Sequence, residues 1–206
     1  MFSGYSLLLE SDLRLSDHSL FLGKFLEQGT AIASLAPSSR WLSRTTVRNV
    51  DWHRVEVLVE LGAGTGPITR VLAEKARPET RVVVLERDHD FATLLEDRFA
   101  CLPNFDVIEG DVRDLASLLA DRGVRRVDHI ISGLPVPSFP KDLRRELFDV
   151  VGTVLAPSGS FNQITELPWV YWRFYRRFFE EVRFAFEPRN IPPAGAYFCR
   201  GVKGRS

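Results

Sequence analysis

The stretch Val57-Leu58-Val59-Glu60-Leu61-Gly62-Ala63-Gly64-Thr65-Gly66 reads as a buried strand emptying into a glycine-rich turn. Glycine has no Cβ and tolerates positive φ, so Gly62, Gly64 and Gly66 let the chain bend tightly and let backbone approach a ligand closely. A helix opening near Pro67 would aim its unpaired N–H groups out of that turn. A nucleotide-like cofactor is the natural occupant.

Such a turn also closes ordinary strand–helix junctions and occurs in dinucleotide-binding enzymes, so the segments after it must discriminate. Arg81 to Leu85 (RVVVL) is a second apolar run suited to a strand covered on both faces. It ends in Glu86, about twenty residues after the turn, where an acid can accept hydrogen bonds from both hydroxyls of a ribose. A third strand, Phe105 to Ile108, runs into Glu109-Gly110-Asp111-Val112 and places Asp111 where an exocyclic adenine amine can be bound. The bland alternative, three solvated strand-end acids, requires three coincidences of spacing.

This series resembles the class I S-adenosylmethionine-dependent methyltransferases. There E/D-x-G-x-G-x-G, an acid after strand two and a G-D pair after strand three line one cleft, whereas Rossmann dehydrogenases usually show G-x-G-x-x-G. The resemblance implies a doubly wound α/β fold, a seven-stranded, mostly parallel sheet with an N-terminal helical extension. S-adenosylmethionine is the implied cofactor and S-adenosylhomocysteine the product. The implied contacts are Glu60, Gly62, Ala63, Gly64 and Thr65 at the first turn, Glu86 and Arg87 at the second, Asp111 and Val112 at the third, and Ser132 at the fourth. Glu60 would stand near the sulfonium and amino groups.

The rest of the chain alternates helix and strand. Helices are expected over Ile68–Lys75, Phe91–Phe99, Leu115–Asp121 and Leu143–Leu155, the last stopped by Pro157 and Gly159. Val127–Ser132 and Ser160–Thr165 are expected as strands four and five. Glu181–Phe186 and Ala196–Val202 would form an antiparallel edge. With 206 residues, 45% of them hydrophobic, the chain can bury one sizeable core. We divide it into a helical segment, 1–50, and a cofactor-binding domain, 51–206. No run supplies the ~20 apolar residues of a membrane span and no signal peptide opens the chain, so a cytoplasmic location is expected. Cys101 and Cys199 lie far apart and are read as buried apolar fillers, and the four histidines share no metal-ligand spacing, so no metal is expected.

The formal net charge is zero, which argues against bulk nucleic-acid binding, but the charge is unevenly distributed. From Tyr171 to the end, eight basic residues face three acids, leaving the rest of the chain acidic. Such a basic segment suits an anionic membrane surface or a phosphate backbone, though a solvated face explains any single arginine. In segment 1–50, Asp17–Gly29 carries an apolar stripe of Leu20, Phe21, Phe25 and Leu26. It is read either as an interfacial membrane helix or as a cap on the sheet or active site.

After it, Ala36-Pro37-Ser38-Ser39-Arg40-Trp41-Leu42 is similar to the A-P-S-S-R-x-L of bacterial phospholipid N-methyltransferases, relatives of the rRNA adenine dimethyltransferases. Ser132-Gly133-Leu134-Pro135 with Ser138-Phe139-Pro140, Gln163-x-Thr165, and Asn190-Ile191-Pro192-Pro193-Ala194 with Tyr197 match the same family. The resemblance implies stepwise N-methylation of phosphatidylethanolamine towards phosphatidylcholine by a monomer held peripherally on the inner face of the cytoplasmic membrane. It brings Ser38 and Ser39 to the cofactor carboxylate, although both can simply cap the following helix.

The end of strand four separates the leading alternatives. Adenine N6-methyltransferases need an aromatic there to stack a flipped base, and this chain has Leu134 and Pro135 instead. An rRNA methyltransferase is therefore second choice, and a small-molecule amine enzyme stays open. A lipid amine is an ammonium at neutral pH, with a pKa of roughly 10, and must lose a proton before attack. Glu166, Tyr197 and Gln163 are the candidate acceptors and orienters. The family commonly has Tyr where Glu166 stands, so Glu166 either takes the proton, signals another amine lipid such as an ornithine lipid, or is a solvated strand-end acid. Leu134, Pro135, Trp169, Tyr171 and Arg189 are the candidate substrate contacts. The aromatic and arginine-rich stretch from Pro168 to Phe179 suits a head-group interface, with an RNA-stacking surface or plain core packing as its competitors.

Overall fold

Valine, isoleucine and leucine runs make the middle of the sheet in the computed structural model, which describes residues 39–167 and 169–203. In chain order the elements are α1 (Arg40–Thr46), β1 (Val57–Leu61), α2 (Pro67–Lys75), β2 (Arg81–Glu86), α3 (His89–Phe99), β3 (Phe105–Glu109), α4 (Leu115–Ala120) and β4 (Val127–Ser132). α5 (Lys141–Val154), β5 (Leu155–Thr165), α6 (Trp172–Tyr175), β6 (Phe179–Glu187) and β7 (Ala194–Val202) complete them. Val59, Leu61, Val83 and Leu85 face one apolar layer while Leu58, Val82 and Val84 face the other, so both sides of the central strands are sealed. Each such side chain contributes about 1.5–3 kcal/mol on burial, and branching at Cβ suits the pleat.

The strand order is β3-β2-β1-β4-β5-β7-β6. β1 to β5 are parallel, and β7 runs antiparallel between β5 and β6. The chain winds outward from β1 to β3, then returns to place β4 on the other side of β1. That reversal opens a crevice beyond the carboxyl ends of β1 and β4, where ligands of such sheets bind. The fold is the expected doubly wound α/β sheet of seven strands. The expected antiparallel edge is the β6–β7 hairpin, in which β7 lies antiparallel between β5 and the edge strand β6.

Local differences have local causes. β5 begins directly after α5, and Pro157 and Gly159, expected as helix stops, lie inside it. Pairing jumps from Val127–Leu155 to His129–Ser160, and the extra residues bulge out of the ladder. Cys199 is buried as expected, but Cys101 is exposed in the turn after α3. Residues 39–50 belong to the core of the sheet domain, since Leu42 is buried on α1 and Val47 and Val50 pack with Leu58. The stripe of Leu20, Phe21, Phe25 and Leu26, like Ser38, lies outside the described residues.

Much of the aromatic C-terminal third turns inward. The ring of Phe148 on α5 stacks on Phe178 at 4.1 Å and meets Phe161, Phe174, Tyr175 and Phe179. Core packing therefore claims Phe174, Tyr175, Phe178 and Phe179, while Trp169 stays outside. Among the described residues no helix is long and apolar enough to cross a membrane.

Candidate active site

Three turns are held in line because the sheet's hydrogen bonding continues past the strand ends. Gly62 N–H donates to Leu85 O, Gly133 N–H to Leu61 O and Gly110 N–H to Glu86 O, each at 2.9 Å. Gly62 has φ +68°, and a Cβ there would lie 2.6 Å from Leu134 Cδ2. A Cβ on Gly133 would lie 2.6 Å from Gly62 O. The first and fourth turns thus meet backbone to backbone. Gly66, also at positive φ, precedes α2 without a side-chain cap, leaving that helix's first N–H groups to the crevice.

Glu60 is 1% exposed beneath this cradle, and neither of its carboxylate oxygens makes a well-formed hydrogen bond among the described residues, Thr69 being the polar group beside it. Burial pushes its pKa up to about 8; nearby Glu86 adds to the rise and Thr69 opposes it. A buried carboxylate left this way is costly unless a cation joins it.

Glu86 is held differently. Its Oε2 accepts from Gly64 N and its Oε1 from Arg87 N and Asp88 N, at 2.8–2.9 Å, so the carboxylate is fixed with one lone pair on Oε2 to spare. Ala63 and Thr65 are buried in the turn, where Thr65 O accepts from Arg98. The Arg87 side chain is exposed and Val112 is half-buried. Asp111 is gripped by Arg113 through two 2.9 Å contacts, which lower its pKa, so an adenine amine there would compete with that guanidinium. Ser39 sits across the chain from these. Its hydroxyl caps α1 through Leu42 N and its N–H donates to Asn190 Oδ1.

At the fourth turn, fully buried Ser132 accepts from Leu134 N, and Leu134 and Pro135 are half-buried. Gln163, 1% exposed, donates from Nε2 to Ser132 O at 3.2 Å and to Leu134 O at 2.8 Å. An amide so placed is no proton acceptor; it fixes the turn and acts as a positioning residue. Gln163→Leu would strand those carbonyls, at about 1–3 kcal/mol for each buried group left unpaired. We expect it to lower kcat while leaving the pH–rate profile unmoved, which steady-state kinetics across pH would check.

Tyr197, the second candidate acceptor, is fully buried among Trp172, Tyr175 and Phe184, and its hydroxyl accepts from Tyr171 N at 3.2 Å. Burial raises its pKa, which holds it as a neutral phenol. It belongs to the core, correcting the expectation of a proton acceptor. Tyr197→Phe should cost about 1 kcal/mol of stability, read by denaturant unfolding, and leave the pH–rate profile unchanged. Glu166 is half-buried just past β5, on the loop that continues to Trp169. Tyr171 is half-buried and packs on the core cluster. Arg189, expected at a substrate phosphate, pairs with Glu187 at 2.7 and 2.9 Å and lies 4.1 Å over the Trp41 ring.

The sequence reading missed the tie behind that arginine. Glu187 is 2% exposed, accepts from Thr45 at 2.8 Å, and is held to a pKa of about 2 chiefly by Arg189. It holds the end of α1, and Asn190 on Ser39 holds the start, so both ends of the helix are tied to the β6–β7 hairpin. No local pattern announces a contact between residues this distant in sequence. The structure gathers Glu60, Gly62, Gly64, Glu86 and Ser132 around one crevice and leaves Tyr197 in the core. Among the described residues no group of His, Cys, Asp or Glu is placed to hold a metal ion. His129, buried against Ser160 Oγ at 2.7 Å, has its pKa lowered to about 4 by burial.

A methyltransferase domain model matches residues 58–159, from β1 to the beginning of β5 with the turns between them. The chain belongs to the class I S-adenosylmethionine-dependent methyltransferases and uses S-adenosylmethionine as its cofactor. It is 70% identical over 189 residues to an ornithine lipid N-methyltransferase of Singulisphaera acidiphila, covering 92% of this chain and 98% of that one. A ribosomal RNA small subunit methyltransferase A of Alkaliphilus metalliredigens is 34% identical over 91 residues, only 43% of this chain and 31% of that one. Among solved structures, a Thermus thermophilus 16S rRNA N2 G1207 methyltransferase superposes with a TM-score of 0.60 at 18% identity, over 84% of this chain and 45% of that one. That likeness concerns the fold.

The cofactor fits the residues present. It carries an ammonium and a sulfonium, the partners that the buried, unsatisfied Glu60 lacks. The Gly64 position is clear, since a Cβ there would meet nothing within 4 Å. Glu86 is oriented for the ribose, and the open first turn of α2 for the carboxylate.

Proposed function

We propose that this enzyme methylates the primary amine of an ornithine lipid. Its relationship over nearly the full length of an ornithine lipid N-methyltransferase carries this reading, and Glu166 supports it where the phosphatidylethanolamine enzymes commonly have Tyr. The site chemistry agrees. Leu134 walls the Gly62 cradle with an aliphatic side chain, so an alkyl-chain amine meets apolar surface and a nucleobase finds no stacking ring at that turn.

S-adenosylmethionine supplies an electrophilic methyl group when bound. The chain's own task is to hold an unprotonated nitrogen in line with that group, a positioning effect worth several kcal/mol. The apolar Leu134–Pro135 wall disfavours the ammonium form, and Gln163 keeps the wall in place through the Ser132 and Leu134 carbonyls. Glu166 attracts the incoming ammonium and accepts its proton. Glu60, on the cofactor side, gives up the proton it holds in the empty cleft and is ionised opposite the cofactor's positive charge.

Purified enzyme supplied with labelled methyl donor should label ornithine lipid more efficiently than phosphatidylethanolamine, judged by kcat/KM. Preference for phosphatidylethanolamine would return the substrate to the alternative head group. Label found only in rRNA would refute a lipid acceptor altogether.

A further inference from the structure

The large apolar side chains left exposed among the described residues are Trp41, Leu167, Trp169, Val170, Phe186 and Ile191. All six fall on one edge of the molecule. Thr165, Gly195 and Phe186 form a single row across β5, β7 and β6, two residues beyond the row of Ser132 and Gln163. Leu167, Trp169 and Val170 follow directly from β5, and Ile191, 87% exposed, tops the β6–β7 hairpin. Trp41 joins them because Asn190 and Arg189 hold the start of α1 there.

This surface is built rather than incidental. Trp169 keeps φ at +65°, a conformation that disfavours a bulky residue, while its ring rests 5.5 Å from Phe186 and remains 63% exposed. Arg40 and Arg189 both lie within cation–π distance of Trp41. The other half of the same edge, at the ends of β2 and β3, is instead polar, carrying Glu86, Asp88, Glu109 and Asp111 beside Arg87 and Arg113. A phosphate polymer laid across the whole edge would meet those acids. A surface touching only the β5–β7–β6 half would meet apolar rings bordered by the Arg40 guanidinium and by Arg189, which buried Glu187 already pairs, the aromatic-and-arginine pattern that seats at lipid head groups.

We propose that this half-edge docks on an anionic lipid bilayer, with Leu167, Trp169, Phe186 and Ile191 entering the head-group region, so that the methyl-transfer crevice opens against the membrane. The proposal rests on the lipid-acceptor reading and adds to it the orientation and the residues that achieve it. A lipid substrate then reaches the crevice with its acyl chains still in the bilayer, and Leu134 continues the apolar path inward.

The test uses the full chain with vesicles containing phosphatidylglycerol. Leu167→Ser, Phe186→Ser and Ile191→Ser combined should lower vesicle binding at least about tenfold while cofactor affinity is retained. Lipids brominated near the head group should quench tryptophan fluorescence, and Trp169→Phe should remove the Trp169 share of that quenching, leaving that of Trp41. Unchanged vesicle binding in the triple variant, without quenching at Trp169, would overturn the proposal. So would self-association that the triple variant abolishes, since the face would then seat a second copy. Methylation of detergent-dispersed ornithine lipid separates the two levels: if it proceeds while the face proves irrelevant to vesicles, only the docking surface fails. If neither dispersed nor bilayer lipid accepts label, the lipid reading fails and the surface with it.

Discussion

Glu60→Gln is expected to make the cofactor-free protein more stable than the parent above about pH 8, and at the same time to cost it the cofactor. The folded carboxyl, raised to about 8 by burial, still holds its proton between pH 4.5 and 8, where the unfolded chain has released it. Stability therefore falls as pH rises through that interval, at a limiting slope of about 1.4 kcal/mol per unit, and the whole penalty is present above it. Below pH 4.5 the group contributes nothing to the pH dependence. Glutamine keeps the shape and carries no charge to desolvate, so the downward slope should flatten. Binding should weaken by about 30-fold or more, close to 2 kcal/mol, because a buried charge facing the cofactor's cations is gone. Thermal unfolding of the cofactor-free protein across pH, with calorimetric titration of S-adenosylmethionine, measures both. A parent protein whose stability rises from pH 5 to 8, or a variant that binds as tightly, would mean that Glu60 does not stand uncompensated in the cleft.

Gly133→Ala should be the most destructive small change in the site. Its Cβ would meet Gly62 O at 2.6 Å, a main-chain atom pinned by the Gly62–Leu85 and Gly133–Leu61 hydrogen bonds. Relief requires the first and fourth turns to separate, which disturbs both the cradle and the Leu134 wall. Overpacking of this kind costs about 1–3 kcal/mol or more. Gly62→Ala meets a side chain, Leu134, that can turn aside, but its φ of +68° adds roughly 1 kcal/mol. Gly64→Ala carries only the φ cost, because no atom lies within 4 Å of the new methyl group. Stability should therefore fall in the order Gly133, Gly62, Gly64. Cofactor affinity should suffer at Gly64 too, since its methyl group enters the cleft. Chemical denaturation and cofactor titration of the three variants would reveal the order, and equal losses at all three would contradict the backbone seam.

The cofactor half of the site was legible in the sequence because its geometry is local. Glu60, Gly62, Glu86 and Asp111 each lie within two residues of the end of a strand, and parallel strands bring such ends into one row. The acceptor half was read less well. Gln163, Tyr197 and Glu166 are near neighbours on or beside one strand pair, and sequence alone could not say which side chain would be buried or already bonded. Pairing Gln163 with Tyr197 and packing the aromatic third onto Phe148 turned two of the three into structural groups. Arg189 fared similarly, because buried Glu187 took it first.

Strand and turn chemistry were enough to point to a doubly wound sheet with a cleft for a nucleotide-like cofactor, since alternation, glycine placement and strand-end acids are written within spans of a few residues, and the family resemblance supplied the methyl donor. The tertiary structure decided the rest: which polar groups remain unsatisfied, how the β4 turn is clamped, and that every large exposed apolar side chain among the described residues gathers on one half of one edge. Those properties depend on burial and on contacts between residues far apart in the chain, and only the folded neighbourhood sets the dielectric and the partners on which they rest.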